Sequence, residues 1–209
     1  MSEIEEQQTP QIYLITPSAF DLASFSTQLA SLLDIHEIAC LRLSLASTDE
    51  RDISLAADSL RDICHARDVA MVIENHYRLV ETHGLDGVHL PDSTRQVREV
   101  RKALGPDAIV GTYCGASRHA GMTAGEIGAD YISFGPVVAS SLGDGKTAPF
   151  DLFEWWSETV EVPVVAEGNV TPEMATTLAP VVDFFGLGAE IWGADNPDTM
   201  LGDYIKRIS

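Results

Sequence analysis

Arg42 lies in an otherwise apolar run, IACLRL at 38–43. An unpaired charge there is very costly, so its guanidinium must meet either a carboxylate such as Glu74 or an anionic ligand. Other polar residues recur at comparable places, each at the end of a short apolar run. Glu74, Asn75 and His76 end VAMVIE; His89 lies in GVHL with Asp92 just beyond; Tyr113 and Cys114 end AIVGTY, and His119 opens the next helical stretch. Glu167, Gly168 and Asn169 end VPVVA, and Ala189 and Glu190 follow FFGLG. Histidines and carboxylates can carry protons, whereas glycine-rich backbone with hydroxyls and a lysine can hold an anion. The segment between Phe134 and Phe150 has that second composition, with Ser140, Ser141, Gly143, Gly145 and Lys146, and reads as an anion-binding loop or lid.

Each of these residues also has a structural reading. Arg42 can sit in a plain ion pair, and His89 can be a hydrogen-bonded core histidine. Cys114 is better read as a small filler than as a nucleophile, because no partner base is fixed beside it. Glu167 and Glu190 can be solvated loop carboxylates, although the small residues around them predict side chains open to a shared polar mouth.

The elements that must position this set alternate along the whole chain. Short β-branched runs at 12–16, 38–43, 69–74, 87–90, 108–113, 131–135, 163–167 and 184–188 are separated by stretches such as DISLAADSLRDICHARD and TRQVREVRKALG, apolar at i, i+3, i+4 and i+7. Gly84, Gly105 and Gly128 stop helices before strands, and Thr171-Pro172 starts one. Eight such repeats in 209 residues predict a single α/β domain, a (β/α)8 TIM barrel over 11–209 behind a loose tail at 1–10; a doubly wound open sheet is the alternative. In both, ligands bind at the C-terminal ends of the strands, where the polar residues fall.

The chain carries 32 acidic against 13 basic side chains, a net charge of −19. That field repels nucleic acid and anionic membranes, so neither is an expected partner, and a phosphorylated substrate would need local positive charge. The N-terminal MSEIEEQQTP lacks the basic and apolar regions of a signal peptide, and three cysteines without metal-site spacing read as reduced thiols, so a cytoplasmic location is expected. A homo-oligomer is left open.

YLIT, CLRLS, DGVHL, GADYISFGPV, PVVAEGNVTPE and DFFGLGAEIW occur in an order that resembles thiamine phosphate synthase and its relative, the thiazole tautomerase, over about residues 11–195. The resemblance implies a TIM barrel of thiamine biosynthesis that joins a pyrimidine methyl diphosphate to a thiazole phosphate and releases diphosphate, with Mg²⁺ on the leaving group. The implied mechanism is dissociative, needing cations around the diphosphate and a dry pocket.

Position by position, the family's Gln-x-Arg-x-Lys keeps its arginine as Arg42, and its lysine becomes Ser44. Its Asn-Asp after the third strand falls on Glu74 and Asn75, and its second metal aspartate falls on Thr94, with Asp92 nearby. The diphosphate loop Thr-x-Thr-Lys reads Ser140, Ser141, Leu142 and Gly143, with Lys146 displaced downstream. Ile-Gly-Gly at the product-phosphate site becomes Glu167, Gly168 and Asn169, and the serine after the eighth strand becomes Ala189 followed by Glu190. Two added carboxylates at a phosphate site would repel a dianion by several kcal/mol unless protonated or paired.

The resemblance therefore implies a synthase with an altered site. Arg42, Lys146 and the two serines hold the diphosphate, Asp92 or Glu74 holds Mg²⁺, and Asn75, His89, Glu167, Gly168, Asn169, Ala189 and Glu190 contact the heterocyclic substrate. Two alternatives accompany it. One is a metal-free, tautomerase-like enzyme with His119 or His89 carrying the proton. The other is a catalytically silent binder of a cationic thiamine precursor, or a subunit beside a true synthase, using the convergence of Glu74, Glu167 and Glu190.

Overall fold

Period-two alternation decides which way each strand residue points. In a computed structural model describing residues 9–91 and 95–209, eight parallel strands close into one barrel in sequence order. They are β1 (Gln11–Ile15), β2 (Cys40–Leu43), β3 (Ala70–Glu74), β4 (Gly87–Leu90), β5 (Ile109–Tyr113), β6 (Tyr131–Phe134), β7 (Val164–Glu167) and β8 (Phe184–Leu187). Outward residues such as Leu14, Leu41, Met71, Val88, Ile132 and Phe185 are buried in one large core against the surrounding helices. Inward residues Tyr13, Cys40, Val72, Tyr131 and Val165 form a second, smaller cluster inside the barrel. Two residues further along their strands, on the same inner face, come Arg42, Glu74, Ser133 and Glu167. The barrel therefore has an apolar and aromatic floor under a polar layer at its C-terminal end.

The helices are α1 (Leu22–Ile35), α2 (Glu50–His65), α3 (Leu79–His83), α4 (Val97–Leu104), α5 (Arg118–Glu126), α6 (Phe150–Thr159), α7 (Pro172–Leu178), α8 (Ala189–Trp192) and α9 (Pro197–Ile208). Asp21, Asp49, Ser117, Thr171 and Asn196 cap α1, α2, α5, α7 and α9 through their side chains. The doubly wound alternative is excluded by β1 pairing with β8. The eighth repeat carries two α-helices rather than one, because Gly193 ends α8 after four residues and Asn196-Pro197 starts α9. Residues 1–8 of the expected tail lie outside the described residues; Pro10 is buried and β1 begins at Gln11.

The motif aspartates belong to the opposite end of the barrel. Asp86, Asp130 and Asp183 each precede a strand and accept from the backbone NH of Met71, Val110 and Val164 respectively, tying each strand to the one before it. Asp130 also pairs with Arg101. Asp130→Ala strands the Val110 NH and removes the carboxylate partner of Arg101, so chemical denaturation is expected to show a loss of about 1–3 kcal/mol.

Candidate functional site

The polar layer opens into a cavity of about 670 Å³ between the ends of β1, β2, β3, β7 and β8. It brings together seven of the residues expected at the mouth: Arg42, Glu74, Glu167, Gly168, Asn169, Ala189 and Glu190. A second cavity of about 470 Å³ lies over the end of β5, lined by Tyr113, Cys114, Ser117, Asp144 and Lys146 among others. The loop between β6 and α6 contributes to both, with Leu142 on the first and Asp144 and Lys146 on the second. Gly143 holds this loop against Tyr113: its φ is 61°, and a Cβ there would lie 2.5 Å from the phenol oxygen. Tyr113 in turn donates to the Gly135 carbonyl at 2.6 Å, and burial, with Glu167 nearby, raises its phenol to about 12.

Arg42 is not free to meet a ligand as a bare cation. It is 5% exposed and hydrogen-bonded to Glu167, itself 2% exposed. Ser133 donates its hydroxyl to the other oxygen of that carboxylate. Glu74 lies 3.6 Å from Arg42 Nε, an atom otherwise without a hydrogen-bond partner among the described residues. Desolvation opposes the guanidinium charge, but Glu167 and Glu74 more than offset it and hold Arg42 protonated above its usual range. This corrects the expectation that Glu167 opens to the mouth: its position two residues after Val165 turns it into the barrel, and Gly186 beside it leaves room, since a Cβ there would meet Glu167 Cβ at 2.9 Å.

Glu190 is corrected for a different reason. Its two carboxylate oxygens accept from the backbone NH of Val170 at 3.1 Å and of Gly188 at 2.9 Å. The side chain is half-buried and spans the loops after β7 and β8. Trp192 anchors the short α8 by donating to the Ile15 carbonyl at 2.6 Å; neither it nor Gly188 is foreseen as a site residue, because nothing local marks the Gly188 NH as a donor.

His89 lies beneath this layer, 1% exposed. Its Nδ1 is 3.0 Å from the Tyr131 hydroxyl, which is 2.7 Å from the Tyr13 hydroxyl. Burial first, and then Arg42, hold its pKa well below the usual value, so it is neutral in the fold. In the unfolded chain it takes a proton below about pH 6.5. The unfolded state then binds more protons, and stability is lost as pH falls from there through the depressed folded pKa. His89→Gln is expected to flatten this dependence by up to about 1.4 kcal/mol per pH unit, measured as the difference between denaturation series of wild type and variant from pH 7 to 5. Superimposable slopes would mean that His89 titrates normally in the fold.

The remaining candidates are dispersed. His119 is exposed on the second residue of α5 and lines neither cavity; Ser117 and Ala120 on the same helical face do, so the expected reach of His119 over the mouth is not what the helix phase gives. Lys146 is 80% exposed and paired with Asp144 at 2.7 Å. Ser140 accepts from the Leu142 NH, Ser141 is exposed, and Asn75 is exposed at a φ of 66°. Burial raises the Cys114 and Cys64 thiols to about 12, as inert fillers require.

Asp92 and Thr94 lie outside the described residues. Among the described residues, no three or more His, Cys, Asp or Glu side chains are placed to hold a metal ion. Glu74, the one described carboxylate expected to bind Mg²⁺, faces the Arg42 guanidinium, and a neighbouring cation opposes a second one. The described residues therefore do not fit a dedicated Mg²⁺ pair.

A closed barrel of eight parallel strands, with these two cavities over the strand C-termini, defines the class as a (β/α)8 barrel. A family profile described as thiamine monophosphate synthase matches residues 12–185. The thiamine-phosphate synthase of Rhodospirillum centenum is 40% identical over 184 residues, covering 87% of this chain and 89% of the relative. That of Erythrobacter litoralis is 34% identical over 192 residues, covering 88% and 89%. The thiamine phosphate pyrophosphorylase structure from Pyrococcus furiosus superimposes with a TM-score of 0.83 over 97% of this chain and 96% of that one, at 19% identity. The chain belongs to the thiamine monophosphate synthase family.

Proposed function

We propose that the protein is a synthase that joins a pyrimidine methyl diphosphate to a thiazole, with release of diphosphate, in thiamine biosynthesis. The observation that carries this reading is the family match over residues 12–185, which covers β2 to β7 whole and reaches into β1 and β8. In the dissociative reaction the protein supplies orientation, charge and exclusion of water, and no side-chain nucleophile is needed. Lys146, exposed and on a glycine-rich loop, is the cation for the diphosphate, exchanging Asp144 for the ligand. Ser140 and Ser141 add donors on the same loop.

Arg42 acts chiefly through its neighbours. It holds Glu74 and Glu167 under the ring-binding cavity, and His89 forms part of the neutral floor below. Gly168 and Asn169, both left-handed, shape the wall with Ala189 and Glu190, while Asn75, exposed next to Glu74 in the chain, lies outside that wall. Any Mg²⁺ would come with the substrate diphosphate and not sit on a preformed cage, since Glu74 is engaged by Arg42. The substrates are small molecules, with neither nucleic acid nor membrane among the partners; no described helix is long and apolar enough to cross a bilayer. The cytoplasm is the proposed location.

The test is turnover of the purified protein with the pyrimidine diphosphate and a thiazole, phosphorylated or not, with Mg²⁺ and then with excess chelator. Metal-dependent release of diphosphate with a coupled thiazolium product is expected. No coupled product from folded protein with either thiazole would end the synthase reading.

A further inference from the structure

In TIM barrels the loops after strands seven and eight, with a short extra helix, commonly form a phosphate site from converging backbone NH groups. Here the converging donors exist, and their acceptor is already present. Glu190, second residue of α8, takes the Val170 NH from the loop after β7 and the Gly188 NH from the end of β8. The surrounding charge points the same way. Among the described residues lining the 670 Å³ cavity, Arg42 is the one cation, against the carboxylates of Glu74, Glu167 and Glu190. Arg42 is moreover spent on Glu167. A phosphate dianion entering here would meet net negative charge and NH groups already bonded.

We propose that the thiazole subsite takes a ring whose side arm ends in a free hydroxyl, with Glu190 seated as a resident anion where a substrate phosphate would otherwise bind. This rests on the synthase reading and names its second substrate as a thiazole alcohol. A carboxylate has about four lone-pair positions, and the two NH groups leave room to accept from the alcohol O–H, a proton that a phosphate dianion does not offer. The chemistry balances without a proton transfer. The carbon–oxygen bond of the pyrimidine methyl diphosphate breaks, the diphosphate leaves with the electron pair, and the thiazole nitrogen lone pair forms the carbon–nitrogen bond. The neutral ring becomes a thiazolium cation with its hydroxyl untouched, and the excess of carboxylates favours that positive charge as it develops.

The experiment compares initial rates of the full-length protein with the pyrimidine diphosphate and either the thiazole alcohol or its phosphate ester. The alcohol is expected to be favoured in kcat/KM by about tenfold or more, and Glu190→Ala to move the preference towards the ester by a similar factor. A wild-type preference for the ester overturns the inference while leaving the synthase reading intact. If neither thiazole is coupled, the synthase reading fails separately, and calorimetry with inorganic phosphate decides the cradle. Binding to Glu190→Ala but not to wild type supports a resident anion, and binding to wild type overturns it. Should Glu190→Ala not fold, Glu190→Gln keeps an acceptor and removes the charge, and the wild-type comparison stands without either variant.

Discussion

Arg42→Met is expected to lower stability by about 3–5 kcal/mol, the cost of leaving Glu167 buried without its counter-charge. The carboxylate is 2% exposed, and its remaining described side-chain partner is the Ser133 hydroxyl. Ser133 satisfies one oxygen but supplies no charge, and Glu74 adds a second negative group on the far side of the guanidinium. Removing Arg42 therefore turns a charge-balanced layer into two opposed carboxylates. The companion variant distinguishes pairing from packing. Arg42→Met combined with Glu167→Leu removes both charges and fills the volume with apolar atoms, so it should recover most of the loss. Urea unfolding followed by tryptophan fluorescence reads both. Simple additivity of the two single substitutions, or a single-variant loss below about 1 kcal/mol, would show that the pair is hydrated and unimportant to the fold.

The same pair shows what the sequence makes legible. Arg42 in an apolar strand announces a buried charge, and the expectation of a carboxylate partner is met; Glu74 lies near, but Glu167 makes the hydrogen bond. The identity of that partner is also latent in the pattern, because Val165 and Glu167 share a face by strand alternation, as Cys40 and Arg42 do. Reading Glu167 as a loop residue hides this. The eight strands are legible because their β-branched runs are bounded by glycines and caps, while closure is not fixed by their number, which an open sheet also allows, and rests on the pairing of β1 with β8. Glu190 is the opposite case: its partners are backbone NH groups twenty positions back and two positions back, and backbone donors carry no signature in residue type. His119 fails as a mouth residue on helix phase, which shifts with a single residue of loop length before Ser117 caps α5.

Gly111→Ala is expected to be among the most damaging single-methyl additions, at roughly 3 kcal/mol or more, because of how the barrel floor is filled. Tyr131 lies over Gly111 so closely that a Cβ there would be 1.9 Å from Cζ and 2.2 Å from Cε1. An unrestrained ring would swing aside, but Tyr131 is held at its hydroxyl by Tyr13 and His89 and flanked by both rings. Relief must therefore break those hydrogen bonds or shift the β5–β6 pairing. For a chain of this size the loss corresponds to a fall in melting temperature of about 2–4 °C per kcal/mol. The mechanism makes the effect conditional on the ring. In a Tyr131→Leu background, itself weakened by the unpaired Tyr13 and His89 groups, adding Gly111→Ala should cost less than about 1 kcal/mol, a coupling in the upper part of the range for residues in contact. Gly87→Ala provides the contrast, since its Cβ would lie 1.9 Å from the Ile109 carbonyl oxygen, backbone that no side-chain truncation can move. An equal cost of Gly111→Ala in both backgrounds would place its penalty in the β5 backbone, and the tyrosine floor would then be a filler of the barrel with no part in fixing its spacing.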